Sequence, residues 1–122
     1  MKSALACLAL LVLMFSGAFF YSAQMANIAN RLGEETKELT NAPQGSLQSK
    51  IKKLDEEWSE NKIWFSLSIP HGELDRIETD IVRVLAAANA KDGGEFQIAA
   101  ALLADDFEHI GKLYEASWDN IL

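Results

Sequence analysis

Residues 46–70 read SLQSKIKKLDEEWSENKIWFSLSIP, and the spacing of their apolar members decides the fold class. Leu47, Ile51, Leu54, Trp58 and Phe65 follow one another in steps of four and three, interrupted only where Asn61 stands in the stripe. That spacing lines one face of a helix with 3.6 residues per turn, whereas a half-buried strand would alternate in twos. Ser46 is placed to cap the start of this helix. At the other end Pro70 pushes Ile69 out of helical geometry, so Ser68-Ile69-Pro70 reads as a turn with Pro70 in the first turn of the next helix.

The same pattern recurs downstream. Leu74, Ile77, Ile81, Val84, Leu85 and Ala88 form the expected buried face of a third helix, which Lys91-Asp92-Gly93-Gly94 ends. Phe96, Ala100, Leu103, Phe107, Ile110, Tyr114, Trp118 and Ile121 give a fourth stripe. Upstream, Ser22–Leu39 is polar and helix-friendly, with Met25, Ile28, Leu32 and Leu39 as its apolar positions, and Thr40–Ser46 carries loop chemistry. No run alternates in the manner of a strand. The chain is therefore all-α, an antiparallel up-down four-helix bundle whose core includes Leu54, Trp58, Phe65, Ile81, Leu103, Phe107 and Ile110.

The first helix also has an apolar extension. Residues 4–21, ALACLALLVLMFSGAFFY, hold no charge, and a run of that length can cross a bilayer as a helix. The expected division is residues 1–24 as a transmembrane anchor or uncleaved signal and residues 25–122 as the bundle. The alternative is secretion after a cut near Ala18, with Ser16-Gly17-Ala18 as the small residues a peptidase reads. Lys2 precedes the run and the next basic residue is Arg31. This bias puts the bundle on the extracytoplasmic side of the cell membrane, as the exported part of a single-pass protein. Up-down order then returns the end of helix two and the end of helix four to the membrane surface. Tyr21, Trp64 and Trp118 are the expected interface residues, since indole and phenol rings favour that layer.

Charge narrows the partners. Eleven basic residues face eighteen acidic ones, a net charge of −7. No basic stripe exists to displace counterions from phosphates, so nucleic acid is excluded as a partner. The cluster Lys50, Lys52 and Lys53 is followed by Asp55, Glu56 and Glu57, the pattern of a solvated helix face. Cys7 is the single cysteine, so there is no disulfide framework and no cysteine metal site.

Two histidines invite a search for chemistry. A hairpin turning near residue 92 puts His71 opposite Lys112 and Asp75 near Glu108 and His109. His71 and Asp75, like Asp105 and His109, are spaced i,i+4. These four residues are the metal candidates. Against that reading, both histidines sit off the apolar stripes, and a di-metal bundle uses paired Glu-x-x-His segments. The closest match here is Asp106-x-x-His109. An interhelical hydrogen-bond or ion-pair network is the plainer expectation, with Asp106, nearer the apolar face, capping or pairing there. No phosphate loop, nucleophile elbow or His-Glu-x-x-His motif is present.

Trp58 and Trp64, His71-x-Glu73-x-Asp75-x-Ile77, Glu108-His109-Ile110 and the terminal Asn120-Ile121-Leu122 carry a resemblance. In order and spacing the chain resembles a bacterial family of small exported proteins, the domain-of-unknown-function family numbered 4363, over nearly its whole length. Members often follow His-Ile with proline and charged residues, where this chain has Gly111-Lys112-Leu113. The resemblance implies an anchored helical domain of unknown activity, found mainly in Gram-positive anaerobes, and it transfers no catalytic residue.

The resulting expectation is a non-enzymatic, membrane-anchored interaction or accessory protein with no cofactor. Its partners are the bilayer and either another membrane protein or a second copy, through the small residues Ala4, Ala9, Ser16 and Gly17 of the anchor. The alternative is an extracytoplasmic sensor or carrier holding a small ligand or divalent metal between helices.

Overall fold

A computed structural model describes the chain through Asp119, with side-chain surroundings through Ala116. Four helices follow in order: α1 Lys2–Leu39, α2 Gln44–Ser66, α3 His71–Asn89 and α4 Gly93–Asp119. Among the described residues the backbone of each helix lies beside those of its two ring neighbours, α1–α2, α2–α3, α3–α4 and α4–α1, while large side chains of α2 and α4 meet across the centre. Cross-helix pairs give the directions. Arg31 meets Glu57 and Tyr21 meets Trp64, Gln48 meets Asn89 and Lys62 meets Glu78, and Glu73 meets His109 while Arg83 meets Glu95. Asn30 with Glu115 and Lys37 with Glu108 close the ring. In every pair the numbers rise on one helix as they fall on the other, so all four neighbours are antiparallel.

α1 has 38 residues, a length of about 57 Å at 1.5 Å per residue. Residues 1–20 are exposed throughout, and burial begins only with Met25. One window of this helix has a mean hydropathy of 2.3 with none of its residues buried, the length and composition of a membrane anchor or a signal sequence.

The core is a column of large side chains. Trp58 stacks on Phe65 with ring centres 5.4 Å apart, and Phe107 lies 5.9 Å from the Trp58 ring. Leu32, Ile51, Leu54, Leu74, Ile77, Val84, Leu103 and Ile110 surround them, none more than 2% exposed, and Ile81 is buried beside them. The α1–α4 seam is built differently. Ala26, Ala29, Gly33 and Thr36 line it on α1, and Ala100, Ala104 and Gly111 on α4. A Cβ placed on Gly33 would lie 3.5 Å from Phe107 Cβ and 3.6 Å from the Ala104 carbonyl oxygen. Small residues at three- and four-residue spacing let the two backbones approach closely. Thr36 is tolerated there because its hydroxyl donates to the Leu32 carbonyl at 2.7 Å.

The structure corrects four local readings. Ser46 is not the cap of α2. The helix starts at Gln44 after Pro43, and the Ser46 hydroxyl instead donates back to the Pro43 carbonyl at 3.0 Å. Pro70 stands just before α3 rather than within its first turn, and its extended backbone sets the entry angle. Leu85 is 40% exposed; it lies on the flank facing α2, beyond the line from Leu74 to Val84. Gly93 and Gly94 do not end α3 but open α4.

That last junction is a compact double device. Lys91 takes the left-handed backbone conformation, φ 54°. Its N–H bonds the Ala88 carbonyl, and the Asp92 N–H reaches back to Ala87 at 3.1 Å, the Schellman pattern of helix ends. Asp92 then caps α4, its Oδ1 accepting from the Glu95 N–H at 3.1 Å. The residue in the strained conformation is a lysine, where glycine would sit without a Cβ penalty. Lys91→Gly is therefore expected to raise the unfolding free energy by about 0.5–1 kcal/mol, measured by urea denaturation.

Candidate functional site

The four metal candidates do not assemble. His71, Asp75 and Asp105 are exposed. His109 points its Nε2 toward Glu73, 4.0 Å away, so the hairpin register brings Glu73 rather than Asp75 to the histidine. Among the described residues no three histidine, cysteine or acidic side chains are placed to hold a metal ion.

Two other acid pairs lie across helix seams. Asp80 on α3 is 8% exposed, and Asp106 on α4 faces it with Oδ2 enclosed and no donor to serve it. Burial first, then the hydrogen bond and charge of Asp80, push Asp106 up to about 7, against the opposing pull of Arg76. Asp106 is thereby the carboxyl of the two that favours its proton, and Arg83 Nη1 lies 3.9 Å from Asp80 Oδ1. The second pair is Glu35 on α1 with Glu57 on α2. Burial and Glu57 raise the Glu35 carboxyl, and Arg31, 3.9 Å from each, opposes them. The Lys37–Glu108 ion pair works the other way, the lysine holding Glu108 below the usual carboxylate range.

The Asp106 shift has a stability consequence. A carboxyl raised from 3.8 to about 7 binds its proton more tightly folded than unfolded. Its contribution is present in full below its ordinary value and is lost as pH rises to the folded one. Asp106→Asn removes that loss. Relative to the wild type, the variant is expected to gain about 1 kcal/mol between acid and neutral pH, after allowance for solvent screening, as read from paired thermal melts across pH.

At the end of the bundle nearest residues 1–20, a hydrogen-bonded cluster joins three helices. The Tyr21 hydroxyl donates to the Trp64 carbonyl and lies 3.0 Å from Ser68 Oγ, which in turn lies 2.6 Å from the Tyr114 hydroxyl. The Tyr21 and Tyr114 rings meet edge to face at 6.2 Å. Burial holds the Tyr114 hydroxyl protonated well above the usual tyrosine range. Beside this cluster a shallow groove of about 390 Å³ runs between α1 and α2, lined by residues that include Phe20, Met25, Ile28 and Trp64. Trp64 is 53% exposed on its rim. Trp118, the third residue read as interfacial, lies outside the residues whose side chains are described, as do Ile121 and Leu122.

Sequence reasoning passed over Asp80, Ser68 and Tyr21's polar role. Asp80 carried a signal, because it sits three residues after Ile77 and four before Val84, a stripe position occupied by a carboxylate. Ser68 and Tyr21 carried none, since 47 residues separate them. No curated protein and no solved structure matches the chain significantly. The family described as "Domain of unknown function (DUF4363)" matches residues 19–121, which takes in the second half of α1 and the whole of α2, α3 and α4. With most of its length matched, the chain belongs to the DUF4363 family.

Proposed function

We propose that this protein is a single-pass, membrane-anchored accessory module, not an enzyme. Residues 2–20 hold it in the cell membrane, and the bundle stands on the extracytoplasmic side to bind a membrane-protein partner or a second copy of itself. The observation that carries this reading is the wholly exposed apolar half of α1. The buried core of the bundle begins at Met25 and draws on none of residues 2–18, so that long apolar stretch is left for a surrounding other than the core. Retention rather than cleavage is supported by the unbroken run of α1 from Lys2 into the core. The outward orientation is supported by Lys2 before the apolar run and the lack of basic residues from there to Arg31.

The test is fractionation of cells expressing the full chain, followed by alkaline extraction, protease treatment of intact spheroplasts and crosslinking in the membrane. Retention at full length in the extracted membrane, loss of the bundle to external protease, and a crosslinked species above monomer mass are expected. Recovery as a soluble, shortened chain, or as monomer only, overturns the reading. The ligand- or metal-carrying alternative has no comparable observation behind it.

A further inference from the structure

We propose that the α2–α3 corner is a second membrane contact, with Ile63, Trp64 and Leu67 seated in the interfacial layer of the bilayer that α1 leaves. The inference rests on the anchoring reading above and adds to it how the bundle stands on the surface. Three observations converge on this corner.

The first is exposure. Ile63, Trp64 and Leu67 are 66%, 53% and 68% exposed, three large apolar side chains within the last turns of one helix. Their neighbours Phe65 and Ile69 are buried at 0% and 6%, so the corner is firmly packed on its inner side while its outer side is apolar and bare. The second is height. Tyr21 is the last residue of the uncharged apolar run, and its hydroxyl holds the Trp64 carbonyl and Ser68. The corner is thereby fixed at the level where α1 passes from apolar to polar sequence, within a turn or two of Phe20. Of the exposed apolar residues elsewhere on the bundle, Ile98 in the second turn of α4 lies at the opposite end, Val82, Leu85 and Leu102 stand singly along α3 and α4, and Leu113 neighbours Tyr114 at the corner's own end.

The third is charge. No aspartate, glutamate, lysine, arginine or histidine occurs from Ile63 to Pro70, or from Ser3 to Asn30. The nearest cation, Lys62, is paired with Glu78. A basic patch would suit an anionic headgroup. An indole with two aliphatic side chains and no charge suits the ester and upper acyl region of a zwitterionic phospholipid, where tryptophan concentrates. The groove lined by Phe20, Met25, Ile28 and Trp64, with Gln24 and Asn61 as its uncharged polar members, continues this surface from the corner onto α1.

The experiment uses the full chain in phosphatidylcholine vesicles, with Cys7→Ser as background and one cysteine at a time carrying an environment-sensitive fluorophore. Val12→Cys reports the anchor, Leu67→Cys the corner and Ile98→Cys the far end, with circular dichroism confirming the helix content of each. The label at 12 is expected to be quenched by nitroxides deep in the lipid tails. The label at 67 is expected to be blue-shifted and quenched several-fold more than that at 98 by nitroxides near the headgroups, unchanged by added salt. If 12 is quenched while 67 behaves like 98, the corner proposal fails and anchoring stands. If 67 is blue-shifted but insensitive to lipid nitroxides, protein covers it and the proposal fails. If 12 is not quenched, anchoring fails and this proposal with it.

Discussion

Trp58→Ala is expected to lower the unfolding free energy by about 3–5 kcal/mol, the largest single-residue loss in the chain, measured by chemical denaturation. Trp58 is 1% exposed and contacts Phe65 and Phe107 in the central column. Truncation would leave a cavity between α2 and α4 that neither ring can fill without leaving its own packing. Trp58→Phe should behave differently. The indole Nε1 is buried without a hydrogen-bond partner, a cost the wild type carries at this site. Phenylalanine loses some packing volume but removes that cost, so the variant should stay within about 1 kcal/mol of wild type. A loss as large as that of the alanine variant would show that the indole N–H is satisfied.

Gly33→Leu is the second large effect, and it acts by wedging the α1–α4 seam. The space beyond Gly33 is closed by Phe107 Cβ at 3.5 Å, the Ala104 carbonyl at 3.6 Å and Glu108 Cγ at 3.6 Å. One methyl fits at ordinary contact distance, and a branched chain of four carbons does not. Leucine is expected to cost about 1–3 kcal/mol from overpacking. Gly33→Ala should be neutral or stabilising by up to about 1 kcal/mol, because alanine is the better helix former. Thermal melts of the two variants should therefore shift in opposite directions or leave alanine unmoved. Gly111 is less forgiving of a methyl, since a Cβ there would strike the Asn30 carboxamide.

The helices were legible because their large apolar residues keep a strict three-four rhythm, and Leu47, Ile51, Leu54, Trp58 and Phe65 are all buried. The seam against α4 was not, because its residues are small. Ala26, Ala29, Gly33 and Thr36 keep the same rhythm, but a reading weighted to bulk follows Met25, Ile28 and Leu32 instead. Helix ends misled for a related reason. Gly93-Gly94 resembles a stop, yet Asp92 with Glu95 three residues on is a start signal, and the lysine before it bends the chain. The histidine set failed on register. A shift of two residues along α3 exchanges Asp75 for Glu73, and spacing along one helix cannot fix alignment between two. Asp80 and Asp106 pair through that same register, on opposite sides of a loop, and only the packed hairpin brings them together.

The length of α1 has a mechanical consequence. No proline breaks its 38 residues, so whatever grips residues 2–20 is geared directly to the bundle. Residues seven apart on a helix fall within about 20° of one line. Gly17, Gln24 and Arg31 share such a line, and Arg31 stands at the α1–α2 edge, 3.9 Å from Glu57. Contact with the Gly17 side of the exposed half therefore dictates which edge of the bundle faces the same way. Any turn of that half is delivered to Ala29 and Gly33 where they press on α4. The apolar segment is an axle rather than a tether.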